Sequence, residues 1–151
     1  MTLTQKEKNL IQELKGQEQL CKEKYTRAAG NAVDGQLMGL FQNLADKEQK
    51  HFDSLSQLEN GTVPTFQANA SEALPTFTPV YSAKCSPDRD NDCFLCTDLL
   101  TAEKHASSLY DTCVFEFRDD NARALLNHIQ KEEQDHGKML WNYMNATGMY
   151  N

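Results

Sequence analysis

An internal repeat is the feature of this sequence that most constrains its fold. Shifted by 85 residues, the first half of the chain aligns with the second half without a gap. The matched pairs are Leu10 and Leu95, Leu14 and Leu99, Glu18 and Glu103, Tyr25 and Tyr110, Asp34 and Asp119, Leu40 and Leu125, Leu44 and Ile129, Glu48 and Glu133, His51 and His136, and Leu55 and Leu140. Each half therefore predicts the same structural unit, and the two units are expected to pack about a pseudo-two-fold axis.

The apolar residues of both halves recur with the 3.6-residue period of an amphipathic helix. Thr4 followed by Glu7 is a capping-box signature for the first helix. The other predicted helix starts are Asp34, Asp92 or a residue nearby, and Asp119 or Asp120. Four helices of roughly 24–28 residues each, or about 36–42 Å, predict an all-α four-helix bundle built from two duplicated helical hairpins.

A proline-rich segment separates the two halves. All four prolines lie between Asn60 and Asp92, whereas the flanking segments contain none. Proline interrupts helices, so this segment is predicted to be a long crossover loop. The sequence thus predicts one domain over 1–151, with a helical hairpin over 4–59, a loop over 60–92 and a second hairpin over 93–146.

Six ionisable residues interrupt the apolar stripes near the middle of the four predicted helices. They are Glu18, Glu48, His51, Glu103, Glu133 and His136. Four carboxylates buried together repel one another and lose their hydration, which is costly unless cations neutralise them. Carboxylate oxygens and imidazole nitrogens are ligands that suit iron or manganese. We therefore predict a metal site formed by these six side chains.

The arrangement is one Glu from each of two helices and Glu-x-x-His from each of the other two. This pattern is typical of ferritin-like di-iron and di-manganese proteins. It predicts a ferritin-like bundle with two divalent transition metal ions about 3.5–4 Å apart, bridged by Glu48 and Glu133. Glu132, one position earlier in the sequence, is an alternative to Glu133 as the metal ligand of this helix. The other interpretation of the repeat is a duplicated hairpin whose site has degenerated and holds no metal.

Two tyrosines near the predicted ligands have two possible roles. Tyr25 and Tyr110 lie two helical turns from Glu18 and Glu103, and either hydrogen-bond the carboxylates around the metals or serve as core aromatics. Peroxide or dioxygen is the small ligand expected between two such metals.

The chain has one Cys-x-x-Cys pair, Cys93-x-x-Cys96, so it lacks the two pairs of a rubredoxin-like iron site.

Several segments resemble the bacterial spore coat protein F (Coat F) family. They are Phe94–Asp98, Thr101–His105, Ser108–Tyr110, Leu126–Gly137 and Met144–Tyr150, and the segment from Leu3 through Leu58 is similar as well. The resemblance implies a ferritin-like protein made in the mother-cell cytoplasm and deposited in the spore coat, with other coat proteins or itself as partners. Two functions remain open: a structural coat protein, or a rubrerythrin-like oxidoreductase that acts on peroxide or dioxygen.

Composition and charge exclude several other classes of protein. Twenty-two acidic residues against fifteen basic ones give a net charge of −7, which disfavours nucleic acid as a partner. The apolar runs are too short for a membrane span, and the polar start of the chain does not resemble a signal peptide. Five cysteines do not suggest a disulfide framework. Cys85, Cys93 and Cys96 are left as redox or zinc-binding thiols, partners in coat disulfides, or inert thiols.

Overall fold

Four helices make up the regular secondary structure of the residues that the computed structural model describes, which are 1–68, 70, 73–82 and 85–150. They are α1 Gln5–Asn31, α2 Gly35–Glu59, α3 Pro87–Glu116 and α4 Asp120–Ala146. The all-helical prediction is confirmed, and the arrangement is consistent with a four-helix bundle. Positions 69, 71, 72, 83 and 84 of the predicted loop, and position 151, lie outside the described residues.

Three of the predicted helix starts are confirmed by their caps. The Thr4 side chain accepts a hydrogen bond from the Glu7 amide at 3.1 Å, and the Glu7 carboxylate accepts one from the Thr4 amide at 2.6 Å. Asp34 and Asp119 each accept hydrogen bonds from backbone amides in the first turn of α2 and α4. These side chains satisfy donors that have no partner within the helix.

The start of α3 differs from the prediction. This helix begins at Pro87, five positions before Asp92, with Ser86 as its N-cap. Proline is well suited to the first position of a helix, because its fixed φ is helical and its missing amide hydrogen is not needed there. The loop is therefore shorter than predicted, and Asp92 lies inside the helix.

Asp92 instead caps the turn of the other hairpin. Its carboxylate accepts hydrogen bonds from the backbone amides of Val33 at 2.8 Å and Asp34 at 2.9 Å. At the repeat-related position, Glu7 accepts a hydrogen bond from the backbone amide of Arg118 at 3.0 Å, in the turn between α3 and α4. The start of α1 thus lies beside the end of α3 and the start of α3 beside the end of α1. The two helices are antiparallel, so the pseudo-two-fold axis runs across the bundle.

The connection between α2 and α3 starts at one end of the bundle and ends at the other. Just after α2, the backbone of Gly61 accepts a hydrogen bond from the Met1 ammonium at 3.3 Å. Gly61 has a φ of 84°, and a Cβ there would lie 2.7 Å from the Met1 carbonyl oxygen, so this position requires glycine. The far end of the connection leads into α3 beside the α1–α2 turn.

Side chains of the connection pack on α2 and α4. The Phe66 ring stacks on His128 at 4.8 Å between centroids, and Phe77 meets Tyr143 edge-on at 5.3 Å. The Gln36 side chain donates a hydrogen bond to the Thr78 carbonyl at 2.9 Å. The connection therefore covers the side of the bundle where α2 and α4 lie next to each other.

Two apolar clusters fill the bundle on either side of its middle. One includes Tyr25, Phe41, Leu99, Leu140 and Tyr143, and the other includes Ile11, Leu14, Leu58, Tyr110 and Leu126. On every helix the predicted metal ligands lie between the residues of the two clusters. None of the helices in the described part of the chain combines the length and apolar character needed to cross a bilayer.

Replacing Glu7 by Gln is expected to destabilise the bundle by about 2 kcal/mol at pH 7, since a charged acceptor of several hydrogen bonds is lost. Burial alone would raise the pKa of Glu7, but hydrogen bonds from Thr4 and Arg118 hold it at about 2, below its ordinary value of 4.5. The contribution of Glu7 is therefore complete above pH 4.5 and is lost as the pH falls towards 2.

Urea unfolding at a series of pH values checks this expectation. The difference between parent and Glu7→Gln should narrow below pH 4.5. Glu13→Gln, at an exposed position of the same helix, is the control and should change stability by less than about 0.5 kcal/mol. A Glu7→Gln effect that does not vary with pH would contradict the role assigned to the carboxylate.

Candidate metal centre

The six residues predicted as ligands lie together in the middle of the bundle, each at most 3% exposed. Their ligand atoms form two groups of four, in each of which all atoms lie within 4.8 Å of one another. The groups are Glu18, Glu48, His51 and Glu133, and Glu48, Glu103, Glu133 and His136. Glu48 and Glu133 belong to both groups, so the geometry describes two adjacent positions that share two carboxylates.

The two histidines face the carboxylates with the same ring nitrogen. His51 Nδ1 lies 3.1 Å from Glu48 Oε2 and 2.7 Å from Glu133 Oε1. His136 Nδ1 lies 3.2 Å from Glu48 Oε1 and 3.4 Å from Glu103 Oε1. The rings stack with centroids 5.5 Å apart. Both Nδ1 atoms therefore face the space between the carboxylates.

Several carboxylate oxygens of the site are buried without a hydrogen-bond partner among the described residues. They are Glu18 Oε2, Glu103 Oε2 and both oxygens of Glu133, of which Oε1 has only its ion-pair contact with His51 Nδ1 at 2.7 Å. A buried polar atom without a partner costs free energy, and a buried carboxylate costs more than a neutral group. Their lone pairs are available to a cation, so the donor set fits two divalent transition metals.

The acids of the site have shifted ionisation equilibria. Burial raises the pKa of Glu18 to about 8, although the nearby His51 opposes the change. Burial also raises the pKa of Glu133 well above its usual range, and the neighbouring Glu18 and Glu103 add to this rise. Without a cation, both carboxyls thus favour the protonated form, which is the response expected of crowded buried acids.

Glu48 behaves in the opposite way because both histidines contact it. Burial alone would raise its pKa, but hydrogen bonds from His136 and His51 hold the pKa well below its usual range. Burial alone would likewise lower the pKa of the histidines. The carboxylates, led by Glu18 for His51 and by Glu103 for His136, raise the pKa of His51 well above its usual value and that of His136 to about 9.

Each tyrosine contacts the glutamate of the other hairpin. The Tyr25 hydroxyl donates a hydrogen bond to Glu103 Oε1 at 2.5 Å, and the Tyr110 hydroxyl donates one to Glu18 Oε1. Burial, together with the contacted carboxylate, raises the pKa of both phenols well above the ordinary value. The tyrosines therefore remain hydrogen-bond donors, and they leave one oxygen of each glutamate without a partner.

His51 also lies near Glu132, the residue before Glu133, and this proximity was not predicted from the sequence. Glu132 Oε1 lies 2.8 Å from His128 Nε2 and 3.7 Å from His51 Nε2. The imidazole of His51, against the effect of burial, holds the pKa of Glu132 at about 2. Glu133 belongs to both groups of ligand atoms, whereas Glu132 lies outside them. The four-residue spacing of His128 and Glu132 was the sequence signal for their pairing.

The cysteines lie outside the two groups of ligand atoms. All five are free, and Cys85 is exposed. Because α3 starts at Pro87, Cys96 lies in the third turn of the helix, where burial and then Asp92 raise the pKa of its thiol. A raised thiol pKa disfavours a redox or zinc-binding role for Cys96, because the thiolate is the reactive form.

The second hairpin resembles a known protein family. Residues 91–151 match the model of the family described as Coat F domain. The match supports the resemblance to the Coat F family over nearly all of α3, all of α4 and the C-terminal residues. Three candidate ligands lie within it: Glu103, Glu133 and His136. Searches of curated proteins and of solved structures returned no match.

Proposed function

We propose that this protein is a spore coat component whose ferritin-like bundle holds two divalent transition metal ions, iron or manganese. One observation carries the metal assignment: two groups of buried ligand atoms share Glu48 and Glu133, and their outer carboxylate oxygens lack partners. Four acids in an apolar interior are difficult to explain as structural residues, since apolar side chains would pack there without a desolvation cost.

The chain offers each ion a similar set of ligands. Glu48 and Glu133 would serve both ions, and His51 and His136 would each serve one. Two bound ions would supply Lewis-acid and redox chemistry. The tyrosines orient Glu18 and Glu103, and the apolar clusters on both sides exclude water from the ends of the site.

The coat assignment rests on the Coat F match and on the repeat. The match covers the second hairpin, and the 85-residue repeat extends the same design to the first hairpin. The antiparallel hairpins and the connection that runs between opposite ends of the bundle support a ferritin-like topology. On this proposal the protein assembles in the spore coat with other coat proteins or with further copies of itself.

Metal content tests the proposed centre directly. Protein loaded anaerobically with Fe²⁺ or with Mn²⁺ and then desalted should retain two equivalents per chain by elemental mass spectrometry. Glu133→Gln should retain less than about half an equivalent, since both positions lose a charged ligand. Glu13→Gln should match the parent. Parent protein that retains no metal, or a Glu133→Gln variant that retains two equivalents, would contradict the proposal.

The coat location is tested by a fluorescent fusion expressed in a spore-forming bacterium. Fluorescence should gather around the forespore and remain with the purified spore, whereas the fluorescent protein alone should stay spread through the mother cell. A fusion that is spread in the same way as this control would contradict a coat location.

A rubrerythrin-like oxidoreductase acting on peroxide or dioxygen is the second candidate function. The observation that favours it is a cavity between α3 and α4 that reaches Glu103 and Glu133. Metal-loaded parent should then consume hydrogen peroxide faster than Glu133→Gln treated in the same way. Equal rates in the two proteins would count against this candidate and leave the structural role.

A further inference from the structure

We propose that the metal centre exchanges with solvent through one face of the bundle, between α3 and α4, and that the α1–α2 face is closed. The solutes admitted are small: hydrated divalent cations and metal ligands of a few atoms. This inference rests on the proposed metal centre and adds a direction of access to it.

A cavity of about 490 Å³ lies between α3 and α4 and reaches two of the six candidate ligands. Glu103 and Glu133 form part of its lining, and both carry buried oxygens without hydrogen-bond partners. Ser107 and Gly137 line the cavity at positions where larger side chains would fill it. Apart from Leu100, the lining residues are polar or small, and they include Lys104 and Asp111 as well as the two glutamates. A polar lining next to buried carboxylates suits the passage of a hydrated cation.

The repeat provides an internal comparison for this cavity. On the α1–α2 face, Gly137 is replaced by Phe52 and Ser107 by Lys22. The Lys15 ammonium lies 5.0 Å from the centroid of the Phe52 ring, and Lys22 donates a hydrogen bond to Gln49 Oε1 at 2.5 Å. The α1–α2 face therefore carries a ring and two lysine side chains at positions where the α3–α4 face has glycine, serine and leucine. The same backbone design is therefore closed on one side and open on the other.

Two other cavities give poorer access to the carboxylates. One of about 200 Å³ reaches His51 and Glu132, but the His51 ring separates it from the centre, because Nε2 faces Glu132 and Nδ1 faces the glutamates. Another of about 430 Å³, between Thr26 and Asp46 on the α1–α2 face, has none of the six candidate ligands in its lining. The α3–α4 cavity is the one among these three that reaches carboxylates of the centre.

Replacing Gly137 by Phe tests the inference, since it copies the residue that closes the other face. A Cβ at Gly137 would lie 3.5 Å from Leu100 Cδ1, an ordinary contact, and the ring would extend into the cavity. In stopped-flow absorbance with Co²⁺ alone, association should slow about tenfold or more, because binding then requires the ring to move. At equilibrium the variant should still bind two equivalents, which shows that the centre itself is intact.

Matched variants separate blockage from other effects. Gly137→Ala leaves the cavity open, and Gly16→Phe places the same ring on an exposed position of α1. Both should bind Co²⁺ at the parental rate. The double variant Gly137→Phe with Phe52→Gly moves the opening to the α1–α2 face and should regain a rate within about threefold of the parent.

The outcomes distinguish this inference from the proposed function. Parent protein that binds no Co²⁺ overturns both. Two equivalents bound at the parental rate by Gly137→Phe overturn the inference about access and leave the metal centre standing. A double variant as slow as Gly137→Phe also overturns it, because the slow rate would then not come from closing the cavity.

Discussion

Adding Mn²⁺ to the metal-free protein is expected to raise its unfolding temperature by about 10–20 °C. An ion present at a hundred times its dissociation constant stabilises the folded state by about 2.7 kcal/mol, so two ions contribute about 5 kcal/mol. In a domain of this size each kcal/mol corresponds to about 2–4 °C. The physical source is the neutralisation of four carboxylates that are buried together and partly without hydrogen-bond partners.

Differential scanning calorimetry in Mn²⁺ and in a chelator measures this shift. Glu133→Met is the control, because it removes a ligand shared by both positions and keeps a side chain of similar volume. Its unfolding temperature should be the same in both buffers to within about 2 °C. An equal Mn²⁺ effect on parent and variant would place the ions elsewhere on this acidic protein.

In the metal-free protein, Glu133→Met and Glu48→Ala are expected to change stability in opposite directions. Among the described residues Glu133 has one ion-pair contact, from Oε1 to His51, and burial raises its pKa well above the usual range. Because burial favours its uncharged form over that ion pair, an apolar side chain of similar size should stabilise the fold by about 1–4 kcal/mol. Glu48 contacts both His51 and His136. Its removal leaves two buried imidazoles without that carboxylate and should cost about 3–5 kcal/mol.

Chemical denaturation at pH 7 in the presence of a chelator measures both changes. Glu23→Met, at an exposed position of α1, is the control and should stay within about 0.5 kcal/mol of the parent. Destabilisation by Glu133→Met would show that this carboxyl has a structural role without metal. The crowding of four buried acids would by itself favour a gain in stability for Glu48→Ala, and the contacts of Glu48 with both histidines reverse that expectation.

Much of the candidate site could be predicted from the sequence because helical periodicity is local. Glu18 lies four residues after Leu14, and His51 lies four before Leu55, so each shares a helix face with a core leucine. A buried face on each of two duplicated hairpins then directs the ionisable residues into one interior. The caps at Thr4, Asp34 and Asp119 were predictable for the same reason, since a cap acts within one turn.

Contacts between helices could not be predicted in this way. The repeat pairs Tyr25 with Tyr110, but only packing shows that each hydroxyl contacts the glutamate of the opposite hairpin. The third helix was predicted to start at Asp92 or nearby, whereas Asp92 lies inside α3 and caps the α1–α2 turn. These contacts depend on how one helix is rotated and shifted relative to the next. That geometry is set jointly by the side chains of the whole core.

By itself, the sequence determined that four amphipathic helices form two equivalent hairpins with acids and histidines on their buried faces, because each of these properties depends on spacing along one helix. The tertiary structure alone decided which glutamate each tyrosine contacts, which carboxylate oxygens lack hydrogen bonds among the described residues and which face of the bundle is open. Those properties depend on distances between helices, and Phe52 and Gly137 show the consequence: two equivalent positions of the repeat close one face and leave the other open.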